Sequence, residues 1–182
     1  MLLSMEARNL EEGPAKRVLN EILNRIKTMA TLYESLYSAD SLTHLELDRY
    51  FANLARTLFR TFTLESQNIR LVTDLQSARI DLKRAVPAGL ILNELLTNAA
   101  KYAFPGRESG TITVRLTNEN DRAVLVIADD GNGLPEGFSL EKSAGTGLTL
   151  VNSLCRQING EFVIESRGGT VARISIPLRK PD

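Results

Sequence analysis

Cysteine and histidine each occur once, at Cys155 and His44. A single thiol closes no internal disulfide, and one imidazole excludes any multi-histidine metal site. Neither sign of charge is in excess: Lys+Arg and Asp+Glu each count 22. That balance gives no electrostatic reason to expect nucleic acid or an acidic membrane as partner. No run of about 18 apolar residues occurs, so no membrane span is expected in this stretch. The opening "MLLSMEARNLEEG" has no basic n-region and does not read as a signal peptide. Internal repeats and low-complexity tracts are missing. A cytoplasmic location is expected. What is present is ordinary globular material: 182 residues, 43% hydrophobic and 24% charged, enough for one domain with an appendage.

Residues 14–37 read as one long amphipathic helix, opened by Pro14 after Gly13, with Val18, Leu19, Ile22, Leu23, Ile26, Met29, Ala30, Leu32 and Tyr33 at helical spacing. So wide an apolar stripe needs a partner, from the same chain or a second copy. A polar connection follows. Thr43 and Glu46 have capping-box spacing for a helix over about 46–63. "NIRLVTDL" and "ARIDL" read as strands, and a helix spans about 83–103 with Pro87 in its first turns. "TITVRLTN" and "DRAVLVIADD" form a hairpin through "ENDR". After a Gly-rich loop come a helix, "GLTLVNSLCRQI", and a hairpin through "SRGG". Helices separated by runs of strands predict an α+β two-layer sandwich with a mixed sheet, and disfavour a doubly wound βαβ array.

Three segments carry chemistry. In "LILNELLTNAAKYAF", residues 90–104, Glu94, Asn98 and Lys101 share one helix stripe. A carboxylate can polarise a nucleophile, an amide oxygen can ligate Mg²⁺, and an ammonium can neutralise phosphate. "DDGNGLP", 129–135, follows an apolar strand. It offers Asp129 to an exocyclic amine, with Gly131 and Gly133 allowing close backbone approach. "SAGTGLTLV", 143–151, runs Gly145 and Gly147 into a helix whose free N–H groups make an anion site. Each segment also admits a plain reading: a solvated helix face, a simple turn, an ordinary helix entry. Neither the Walker pattern nor G-x-G-x-x-G after a strand is present.

In order and spacing, the three together resemble the boxes of the GHKL ATPase superfamily: N-E-L-x-x-N-A-x-K, D-x-G-x-G and G-T-G-L. The resemblance covers roughly residues 65–179, and "RGGTVARISIPL" looks like that family's last hairpin. Within the superfamily the chain is most similar to sensor histidine kinases, since the loop between the second and third boxes carries no long insertion. Residues 1–63 look like the second dimerisation helix and linker of the branch that includes HWE-type kinases. The resemblance implies a Bergerat-type ATP-binding fold preceded by a helical segment. Residues 1–45 would be a partial dimerisation and phosphotransfer region lacking the phospho-acceptor helix, and 46–182 the catalytic domain.

It further implies ATP and Mg²⁺ as cofactors and transfer of the γ-phosphate to a histidine not in this chain. Glu94 would polarise the incoming imidazole, or a water, and Asn98 would hold the metal. Lys101 and Tyr102 would line the phosphate and nucleotide side. Asp129 would bind the adenine amine, with Gly131 and Gly133 admitting the base. The backbone of Gly145, Thr146, Gly147 and Leu148 would cradle phosphates, and Thr170 would support adenine through water. The implied partners are the histidine-bearing helix, a response regulator and a second copy through the 14–37 helix. A lid over about 134–144 is expected to be mobile without nucleotide. A serine-directed anti-sigma-type kinase and a non-catalytic ATP-binding module are the alternatives. His44 reads as a surface or helix-entry residue and Cys155 as a core thiol.

Overall fold

The computed structural model describes residues 44–62, 68–143 and 146–178, with isolated positions at 13, 19, 22, 23, 26 and 30. Of the helix expected over 14–37, Leu19, Ile22, Leu23, Ile26 and Ala30 are described and all are helical. The remainder, Pro14 included, lies outside the described residues.

The chain order is β1 (His44–Glu46), α1 (Leu47–Phe62), β2 (Asn68–Leu75), β3 (Arg79–Asp81), α2 (Leu82–Tyr102), β4 (Ser109–Glu119), β5 (Arg122–Asp129), α3 (Leu140–Ser143), α4 (Thr146–Gln157), β6 (Glu161–Ser166) and β7 (Thr170–Pro177). Five strands form one sheet in the order β2-β4-β5-β7-β6. The β2–β4 pair is parallel and the other three pairs are antiparallel. This is the mixed sheet of an α+β sandwich.

Strand alternation decides which face meets the helices. Ile112, Val114 and Leu116 of β4 are fully buried, as are Ile174 and Ile176 of β7. Their register aligns them across β5: Leu116 opposite Leu125, and Leu125 opposite Ile174. The inward series of β5 runs Ala123, Leu125, Ile127 and ends on Asp129. A carboxylate therefore occupies the last place of an otherwise apolar row.

Helix α2 is the central helix, packed against both α1 and α4. Asp81 caps it, Oδ1 accepting from Lys83 N–H at 2.7 Å. Pro87 falls in its second turn and is buried, so its missing N–H lies past the first-turn orphans. From α1, Leu47, Tyr50, Phe51, Leu54 and Leu58 recur at helical spacing and are buried in the same core. Each contributes about 1.5–3 kcal/mol when fully removed from water. Tyr50 lies so close to Gly89 that a Cβ there would collide with its hydroxyl. Burial raises the Tyr50 pKa well above the usual phenol range.

Three features differ from the sequence reading. The polar connection before α1 contains β1, which pairs antiparallel with β3, His44 opposite Asp81. No capping box forms through Glu46: α1 begins only at Leu47, and the Glu46 carboxylate accepts from Arg79 Nε at 2.6 Å. Thr43 lies outside the described residues. Finally, the Gly-rich loop contains the short helix α3.

Candidate active site

A cavity of about 680 Å³ opens between the second half of α2, the ends of β5 and β7, the 133–138 segment and the start of α4. Glu94, Asn98, Lys101, Tyr102, Asp129, Gly133, Gly147, Leu148 and Thr170 all line it. Residues from all three sequence segments, with Thr170 of β7, thus line one cavity. Thr146 opens α4, whereas Gly145, with Ala144 of the expected lid, lies outside the described residues.

At one end Asp129 is set by backbone. Its Oδ1 accepts from Gly131 N–H at 3.0 Å and from Thr170 N–H at 3.1 Å. Among the described residues no donor is recorded for Oδ2. With 9% of its surface exposed, the group is nearly enclosed. Its second oxygen is not among the buried unpaired atoms, so it is open to the cavity and can accept from a ligand N–H. Gly131 itself is not in the cavity wall. Its missing side chain instead makes room for the carbonyl of Ala103, and Asn132 N–H donates to that same carbonyl at 2.9 Å. The glycine joins the exit of β5 to the end of α2.

At the other end, Glu94 and Asn98 stand one helical turn apart, against the first turn of α4. A Cβ on Gly147 would lie 3.0 Å from Glu94 Oε2 and 3.9 Å from Asn98 Oδ1. Carboxylate, carboxamide and helix N-terminus therefore converge within a few ångströms. Two further polar atoms in this wall, Asn93 Oδ1 and Thr97 Oγ1, are buried with no hydrogen-bond partner. Asn93 was missed by the sequence reading, although it stands in the quoted box beside Glu94.

An apolar middle separates the two polar ends: Ile127, Leu134, Pro135, Phe138, Leu148, Ile164 and Ala172. A flat apolar body with a hydrogen-bonding edge and a charged tail fits this arrangement. The sequence held no local signal for this wall, because its residues come from five elements and loops brought together only by folding. Cys155 lies away from it in the core, its thiol pushed up to about 12 by burial. Among the described residues no helix is long and apolar enough to cross a membrane, and no group of three or more His, Cys, Asp or Glu could hold a metal ion.

Known proteins resemble this chain in sequence and in fold. Residues 84–180 match the family described as histidine kinase-, DNA gyrase B- and HSP90-like ATPase, and residues 1–62 match a family described as histidine kinase. The sensor histidine kinase PdtaS of Mycobacterium tuberculosis is 31% identical over 84% of this chain and 30% of its own length. PdtaS of Mycolicibacterium smegmatis is 27% identical over 97% of this chain and 36% of its own. The chain spans about a third of the length of these relatives. The histidine kinase domain of the Erythrobacter litoralis EL346 blue-light activated histidine kinase superposes with a TM-score of 0.78 at 20% identity, covering 97% of this chain and 93% of that one. At that identity the likeness is one of fold. The expected sandwich and the resemblance to HWE-type sensor kinases therefore both hold. The chain belongs to the histidine kinase-, DNA gyrase B- and HSP90-like ATPase family, with a histidine kinase segment ahead of the ATPase part.

Proposed function

We propose that this chain is the ATP-binding catalytic part of a sensor histidine kinase and transfers the γ-phosphoryl group of ATP to a histidine outside the chain. One observation carries the reading: a single cavity holds a nearly buried aspartate with a spare acceptor at one end, and Glu94, Asn98 and a helix N-terminus at the other. Asp129 Oδ2 accepts the adenine amine, and Thr170 supports the base through water. The phosphates lie along Lys101, Tyr102 and the backbone of Gly145, Thr146, Gly147 and Leu148. Gly133 borders the base, and Gly131 keeps its loop pinned to α2.

The donors fit Mg²⁺. Asn98 offers a hard oxygen, and with no three-residue acidic or imidazole cluster among the described residues, phosphates and water would complete its shell. When bound, the ion would neutralise charge that builds on the phosphate oxygens. Glu94 takes the N–H proton of the incoming imidazole as the other ring nitrogen bonds to the γ-phosphorus and ADP departs. Phosphoryl transfer asks mainly for positioning and charge stabilisation, which these few groups supply.

His44 is not the acceptor in this reading. It pairs with Asp81 at the start of α2, and roughly 20 Å of helix separates Asp81 from Glu94 at 1.5 Å per residue. We place a boundary at 45/46, with α1 on the ATPase side, since α1 packs into the core with α2; the histidine kinase family match over 1–62 runs past it. Ile22 and Ile26, exposed at 45% and 47%, belong to a stripe that pairs with another helix or a second copy. A response regulator receives the phosphate, in the cytoplasm.

The test mixes this chain, Mg²⁺ and ATP with a separate histidine-bearing helix of a related kinase. Acid-labile phosphate on that helix is the expected product. ATP binding by calorimetry without any transfer would leave a non-catalytic nucleotide-binding module in its place.

A further inference from the structure

The segment "FPGR", residues 104–107, is a type II turn by sequence: proline second, glycine third. The structure agrees. Gly106 has φ 72°, and Arg107 N–H closes the turn on Phe104 O at 3.2 Å. The turn folds Arg107 back over the ring that began it, guanidinium carbon 5.7 Å from the Phe104 centroid. From there Nη1 donates to the carbonyl of Asp130 at 2.5 Å.

Asp130 directly follows Asp129, and it is held twice more. Its N–H donates to Thr111 O at 3.2 Å, and its Oδ1 accepts from Thr111 N–H at 2.7 Å. Phe104, in turn, is buried so tightly that a Cβ on Gly110 would enter its ring. None of Phe104, Arg107, Thr111 or Asp130 lines the cavity. They form a clamp behind it, joining the end of α2, the start of β4 and the exit of β5.

We infer that Arg107 is a positioning residue for purine selectivity: it holds the 129–131 backbone so that Asp129 meets an exocyclic amine. This rests on the nucleotide reading above. A small misplacement of a positioned group is enough to weaken the contact it makes several-fold. The effect falls on the amine contact, since Glu94 and Asn98 sit more than a turn back along α2 and Gly147 and Leu148 on α4, away from the clamp.

The test compares ATP with inosine triphosphate, which lacks the amine, in the unsubstituted chain, Arg107→Ala and Gly106→Ala. Arg107 is exposed, and nothing lies within 4 Å of a Cβ at position 106, so that second change strains the turn without a clash. Both variants are expected to bind ATP about fivefold more weakly and inosine triphosphate within about twofold of the unsubstituted chain, as for a lost contact acting through a neighbour. The transfer rate at saturating ATP should be unchanged. An intact ATP preference in both variants overturns the inference and leaves the nucleotide reading standing. Equal affinity of the unsubstituted chain for the two nucleotides removes the Asp129 reading and the inference with it.

Discussion

The two ends of the cavity are built differently. At the Asp129 end, the carboxylate takes two backbone N–H groups, and the loop after it is tied to Ala103 and Thr111. At the Glu94 end the groups are side chains on one helix, and Asn93 Oδ1 and Thr97 Oγ1 are buried without partners. Buried polar atoms in folded proteins are nearly always satisfied, so two unpaired ones on one helix, with Asp48 Oδ1 and Tyr50 Oη unpaired elsewhere, are a local cost to the fold. The Asp129 end is held by backbone, whereas the Glu94 end keeps two buried polar atoms unpaired; in the proposed function these are the base end and the phosphate end.

The sharpest test of this division is Glu94→Gln, expected to slow histidine phosphorylation about 10²–10⁴-fold, the range of a lost general base. ATP affinity, measured by calorimetry, should hardly change. Parallel losses in binding and rate would merge the two ends into one. Next is Asp129→Asn, which replaces half of the carboxylate's acceptor capacity with donors. ATP binding should weaken by about tenfold to a hundredfold, as when one partner of a buried hydrogen bond is mismatched. Inosine triphosphate should be affected far less; an equal loss for both would mean that Asp129 serves the fold and not the base.

A smaller effect of opposite sign is expected at Thr97. Thr97→Val removes an orphaned hydroxyl and keeps the branched shape, so nucleotide-free protein should gain about 1 kcal/mol in denaturant unfolding. A loss of stability would show that the hydroxyl is satisfied and that the phosphate end is no looser than the base end. The smallest effect concerns Cys155, on the core side of α4. Its pKa rises from 9.0 to about 12, so the neutral thiol favours the fold below pH 9 and that contribution fades as pH climbs through 9 to 12. At neutral pH a thiol reagent should leave the native protein unlabelled and react fully once it is unfolded. Rapid native labelling would mean that α4 opens, and the phosphate end with it.

Much of this was legible in the sequence, for identifiable reasons. Strand alternation in "TITVRLTN" and the turn "ENDR" placed β4 and β5, and Asn120 and Asp121 do adopt φ 48° and 60°. The stripe of Glu94, Asn98 and Lys101 needed only helical spacing. What escaped had no local signature. β1 is three residues long and depends on a partner more than thirty residues away. Glu46 matched a capping pattern, yet tertiary pairing with Arg79 took its carboxylate. Gly131 suggested room for a ligand, but the close neighbour is the Ala103 carbonyl. The clamp at Arg107 was visible only as a turn, because its target arrives from another strand.

Helix α2 holds both the middle of the core and the Glu94–Asn98 wall. Its inner amides can therefore exchange with heavy water only when the whole domain opens, unlike those of fraying ends. A ligand that binds only the native state lowers the population of that global opening. Nucleotide should thus slow deuterium uptake along α2 and the inner strands together, far from any atom it touches.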